Sequence, residues 1–194
     1  STIRASAFNK QDIKDHIYYE SNIQNNEIIY SEKNEDIEKI ILNLEKKTNE
    51  YINSINLLID SPEIISISLS LSKNFDGSSL KKNDVKFLIQ DAKQQILRNY
   101  SDKSIIHIII QNYKIDEANY KLLPEEIKCK SLAIDIIFIC LPKTIVENLK
   151  KTFTKFDISI DKIFCTSYSK SFYHQKDYVN SENLLFIDIG YNKT

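Results

Sequence analysis

From residue 64 to residue 71 the chain reads Ile-Ile-Ser-Ile-Ser-Leu-Ser-Leu, so Ile65, Ile67, Leu69 and Leu71 alternate with serines. A period of two puts the apolar side chains on one face and the hydroxyls on the other, which predicts a strand with one dry and one wet side. Residues 3–9 and 16–23 read as two further strands around a polar Lys10-Gln11-Asp12 turn, a hairpin at the start of the chain. The period then changes. Ile37, Ile40, Ile41, Leu44, Thr48, Tyr51 and Ile52 recur at helical spacing, with Asn34 as N-cap and Glu35, Asp36 and Glu38 loading acid onto the positive helix end.

Residues 55–59 form a short apolar strand stopped by Asp60-Ser61-Pro62, ahead of the Ile/Ser strand. The Asp76-Gly77 turn follows, and Asn83 is expected to cap a second helix whose buried stripe is Phe87 or Val85, then Leu88, Ala92, Ile96 and Tyr100. Residues 105–113 and 129–141 are β-rich, and the polar stretch between them, which contains Pro124, reads as a loop. Pro142 is placed to open a third helix with Ile145, Leu149, Phe153 and Phe156 on one face. Residues 159–165 read as a strand, 167–174 as a short helix, and 184–189 as a buried apolar strand running into Asp188-Ile189-Gly190.

The order of these elements predicts an α/β chain in which a middle block is inserted between two flanking pieces. Residues 55–157 run strand, helix, strand, strand, helix as a unit of their own, leaving 1–54 and 158–194 to complete one another in a mixed sheet. No repeat of fixed period and no Pro/Gly linker interrupts the pattern.

Composition narrows the function classes. With 194 residues and 42% hydrophobic positions the chain can fill a core, while 26 Lys and Arg against 27 Asp and Glu leave no field that would hold nucleic acid. Cys129, Cys140 and Cys165 are odd in number and widely spaced, which fits a reducing compartment better than disulfides or a zinc site. No apolar run approaches a bilayer span, and residues 1–10 lack the layout of a signal peptide. Only two glycines occur, Gly77 in a turn and Gly190 after a strand.

Asp188-Ile189-Gly190 is the strongest local chemical signal. A strand ending in Asp-x-Gly can bring amides and a carboxylate to a phosphate and its magnesium, or it can simply end the strand in a turn. Ser1 and Thr2, ahead of the first strand, suit the tail of a similar loop. His16, His107 and His174 are too scattered for a metal ligand set, so no metal is expected, and His107 reads as a strand residue with a satisfied ring. No nucleophile-elbow spacing is present.

Taken in order, Ser1-Thr2-Ile3-Arg4-Ala5, helix 36–52, block 55–157 and Leu184-Leu185-Phe186-Ile187-Asp188-Ile189-Gly190 resemble the N-terminal half of the FtsA family, bacterial actin-like cell-division proteins. The resemblance implies a partial actin-like (ribonuclease H-like) fold, with a strand-helix-strand-strand subdomain, 1C, inserted into subdomain 1A. It divides the chain into 1–54 (first part of 1A), 55–157 (the 1C interaction subdomain) and 158–194 (return to 1A, ending in the second phosphate motif). It also implies an incomplete nucleotide site carried by Ser1, Thr2, Asp188, Gly190 and Thr194, with Tyr191-Asn192-Lys193 replacing the family's glycine-rich run.

The function implied is that of a polymerising, ATP-binding adaptor that tethers the FtsZ ring to the inner membrane and recruits later division proteins. ATP and magnesium would belong to the full-length parent, with none expected on this chain, which is expected not to be an enzyme. Expected partners are further copies of itself in filaments, FtsZ and other division proteins. No nucleic acid is expected, and membrane attachment at the cytoplasmic face would run through a terminal amphipathic helix of the parent. Two alternatives share the superfold: a pilus-assembly adaptor, and a small-molecule kinase with Asp188 as its acid or base.

Overall fold

The computed structural model describes residues 2–8, 16–22, 35–124, 127–175, 177 and 185–187. The elements run β1 (Thr2–Phe8), β2 (His16–Asn22), α1 (Glu35–Thr48), β3 (Ser54–Ile59), β4 (Ile65–Asn74), α2 (Lys82–Asn99), β5 (Lys103–Ile115), β6 (Ala118–Tyr120), β7 (Ser131–Pro142), α3 (Lys143–Thr154), β8 (Ser159–Cys165) and α4 (Thr166–Gln175). The chain is α/β, and its residues gather into two compact units, Ser1–Leu57 with Ile145–Lys162 and Leu58–Thr144 with Ile163–Thr194.

In the first unit β1 and β2 form the expected antiparallel hairpin, with Thr2 opposite Asn22 and Phe8 opposite His16. Helix α1 buries Ile37, Ile40 and Leu44, and its acidic first turn and Lys46-Lys47 last turn both complement the helix dipole. It ends where Asn49 takes a positive φ of 56°, a conformation that asparagine tolerates better than most residues. Helix α3 buries Ile145, Val146, Leu149 and Thr152. Its end is a double closure: Asp157 N–H donates to Thr154 O at 3.1 Å and Ile158 N–H to Phe153 O at 3.1 Å, with Asp157 at φ 57°. Ile158, buried, then leads into β8, which pairs with β3 from the Ser159 N–H to Asn53 O bond of 2.9 Å onward.

The second unit is built on a four-stranded antiparallel sheet in the order β4-β7-β5-β6, with α2 on one face. Val85, Leu88, Ala92 and Ile96 of α2 meet Leu132, Ile134, Ile136, Phe138 and Cys140 of β7, and Ile65, Ile67, Leu69 and Leu71 of β4 pack against the same cluster. Every member of this core lies between residues 65 and 140. Among the described residues the α2-facing core of the strand-helix-strand-strand block is therefore drawn from within that stretch.

Several expectations change. Helix α2 starts at Lys82, and Asp84 does the capping, its carboxylate accepting the Lys81 N–H at 3.1 Å in place of the expected Asn83 cap. Val85 belongs to the buried stripe, whereas Phe87 stands 77% exposed and Tyr100 is exposed beyond the helix end. The loop expected between β5 and β7 contains β6, and Pro142 ends β7 opposite Lys103 rather than opening α3. Leu185–Ile187, expected inside a buried strand, lie in no strand, with Leu185 and Ile187 exposed. An apolar run becomes a strand only beside an edge to pair with, and among the described residues β1 pairs with β2 alone and β3 with β8 alone. By spatial proximity the chain divides after Leu57, Thr144 and Lys162.

Candidate interaction surface

One face of the four-stranded sheet is closed by α2; the other carries most of its polar side chains. The pairing register sets them in rows: Ser66, Ile139 and His107; Ser68, Ile137 and Ile109; Ser70, Asp135 and Asn112; Ser72, Ala133 and Lys114. The serines are exposed, as the period-two pattern of β4 requires. On β5 the same face depends on two bulges, which leave Ile106 and Gln111 as extra residues. Each bulge shifts the alternation by one, so His107 and Asn112 leave the parity of Ile105 and Ile110 and fall opposite Ile139 and Asp135.

The rows differ in character. At the polar end Ser70 donates to Asp135 Oδ1, and Asn112 Nδ2 donates to Asn119 Oδ1 at 2.9 Å. Just beyond it, the Asp116 carboxylate accepts the N–H groups of Lys130 and Ser131, both at 2.9 Å, which holds its pKa below the ordinary carboxylate value and ties the β5–β6 turn to the start of β7. At the apolar end the ring of His107 lies 4.7 Å from that of Tyr168 and 5.7 Å from that of Phe164. Its Nε2 accepts the Cys165 N–H at 2.9 Å, which fixes the neutral ring with its proton on Nδ1. Burial lowers the His107 pKa in keeping with that state. His107 is thus the satisfied strand histidine the sequence suggested, and it anchors the β8–α4 junction to β5.

Of the residues expected at a nucleotide, Thr2 has its backbone in β1 opposite Asn22, while Ser1, Asp188, Gly190 and Thr194 lie outside the described residues. Among the described residues no group of three His, Cys, Asp or Glu is placed to hold a metal ion, and no helix is long and apolar enough to cross a membrane. The residues that organise the outer face, Asp116, Asp135, Asn112 and Asn119, carry no motif. For Asn112 and Asp135 the advance signal was a polar residue inside an otherwise apolar strand; Asp116 and Asn119 gave none.

What this face can offer is shape and hydrogen bonding: a row of hydroxyls and amides bordered by isoleucines, on a rigid sheet, suited to a protein partner. No curated protein matches the sequence. Residues 62–140 match the family model described as the SHS2 domain inserted in FtsA, and the match coincides with the stretch that supplies the α2-facing core of the second unit. The chain is therefore FtsA-like over this stretch, and its four-stranded unit is an SHS2 domain of the kind inserted in FtsA, the subdomain 1C of the sequence reading.

Proposed function

We propose that this chain works within an ATP-binding, polymerising cell-division protein that tethers the FtsZ ring to the inner membrane, with the SHS2 unit docking later division proteins. The observation that carries the reading is the coincidence of the family match at 62–140 with a core drawn wholly from 65–140. A unit that closes its own core can present its outer face to partners without disturbing the sheet it interrupts. On this reading the chain does binding rather than chemistry. Ser1, Thr2, Asp188, Gly190 and Thr194 would contribute part of an ATP and magnesium site that only the full-length parent completes, since phosphate capture needs donors from both sides of the cleft. Attachment at the cytoplasmic face of the membrane would belong to the parent.

The test uses the intact reading frame in cells. A fluorescent fusion should form a mid-cell ring with FtsZ, and removing 58–144 should leave that ring but abolish arrival of later division proteins. A fusion spread evenly through the cell, or a deletion without effect on recruitment, would overturn the reading. Titration of ATP and magnesium into the 194-residue chain should give no micromolar binding.

A further inference from the structure

The sheet of the SHS2 unit has two edges, and they are built differently. At one edge stands β6, only three residues long, beside a β5 broken by two bulges. Short edge strands and bulges are the usual means by which a protein prevents a sheet from recruiting another strand. At the other edge stands β4, ten residues long, paired with β7 in unbroken register from Ile65 opposite Cys140 to Asn74 opposite Ser131. Among the described residues β4 has no strand on its other side. Its first eight residues carry no charge, no proline and no bulge.

The pattern of β4 is also self-complementary. Reversing an alternating strand preserves its alternation, so an antiparallel pair centred on Ser68 sets Ser66 opposite Ser70 and Ile67 opposite Leu69, hydroxyls facing hydroxyls and apolar side chains facing apolar ones. Ile65 then falls opposite Leu71. Lys73 of each copy then falls beyond the first residue of the partner's strand, Ile65. No like charges meet along it.

We infer that β4 is a self-association edge: two copies of the chain pair their β4 strands antiparallel about a two-fold axis at Ser68, joining two four-stranded sheets into one of eight strands. The contact is isologous and closed, so it makes a dimer. Backbone hydrogen bonds supply the affinity, the serine/aliphatic alternation fixes which faces meet, and centring on Ser68 keeps the contact within the uncharged residues 65–72. The inference uses only the geometry of β4 and stands apart from the division role.

The experiment is sedimentation equilibrium on the 194-residue chain with designed pairs at positions 66 and 70, whose side chains are exposed on the outer face. The unaltered chain should sediment as a dimer. S66K/S70K sets like charges opposite each other twice and should weaken the dimer about tenfold, while S66E/S70K, which sets opposite charges there, should restore it. Under oxidation S68C should form a disulfide dimer and S72C should not, because only position 68 faces itself across the axis. Circular dichroism of each variant should match the parent. A chain that stays monomeric at its highest soluble concentration, equal affinities for the two charge designs, or equal crosslinking at 68 and 72 would overturn the inference, and so would a β4 edge occupied by a strand from another protein.

Discussion

Phe138 and Phe87 carry the same side chain in opposite circumstances. Phe138, on the face of β7 that packs against α2, is 0% exposed, and Phe87, on α2 itself, is 77% exposed. Replacing Phe138 by alanine removes the ring from a core with no solvent to fill the space, a change that costs about 3–5 kcal/mol in comparable sites. Against a typical domain stability of about 5–15 kcal/mol this is a large share, and at a urea dependence of about 2 kcal/mol per molar the midpoint should fall by about 2 M. Phe87→Ala removes a ring that water already reaches and should move stability by less than about 0.5 kcal/mol. Urea unfolding followed by far-UV circular dichroism gives the global effect, and hydrogen exchange at β7 amides reports the same unit locally. A Phe138→Ala penalty below about 1 kcal/mol, or equal penalties at the two sites, would refute this placement of α2 on the sheet.

His107 sets a pH dependence. Burial lowers its folded pKa from the ordinary 6.5, so the unfolded chain binds the proton first: stability should be full above 6.5 and decline as pH falls below it towards the lowered value, and His107→Gln should flatten that part of the profile of thermal midpoint against pH. Cys129 and Cys140 are buried, with thiol pKa values raised mainly by that burial, whereas Cys165 is half-exposed. A thiol reagent should therefore label one cysteine of the native chain quickly and the other two only on unfolding; rapid labelling of all three would contradict the packing of β7. Asp116 combines a positive φ of 53° with a carboxylate that accepts two backbone N–H groups, so Asp116→Ala should lower the thermal midpoint more than Asp116→Asn, which tolerates the same backbone.

The strands whose alternation survives in the sequence were the easy ones. Strand β4 shows its two faces directly because the register of its pairing with β7 is unbroken, and β8 was delimited correctly as residues 159–165. Strand β5 hid its faces: the bulges at Ile106 and Gln111 break the period of two, so the residues that meet Asp135 and Ile139 cannot be assigned from spacing alone. Strand β6 was missed because Ala118-Asn119-Tyr120 has no apolar run and the turn before it, Asp116-Glu117, lacks the glycine that marks a hairpin. The ambiguity between Val85 and Phe87 was settled by the start of α2, two residues earlier than an Asn83 cap would allow. The family resemblance was legible as an ordered set of elements, and its match at 62–140 falls where the core is complete. The interaction face was not, since it is assembled by register across three strands.

Self-sufficiency of the inserted unit is the point on which the account turns, and expression of residues 58–144 alone tests it. The 15N–1H spectrum of that segment should be dispersed and should overlay the corresponding resonances of the 194-residue chain, with shifts confined to the neighbourhood of His107, whose partners Phe164, Cys165 and Tyr168 are left out. A collapsed, random-coil spectrum would contradict it, because the core between residues 65 and 140 would then depend on the rest of the chain.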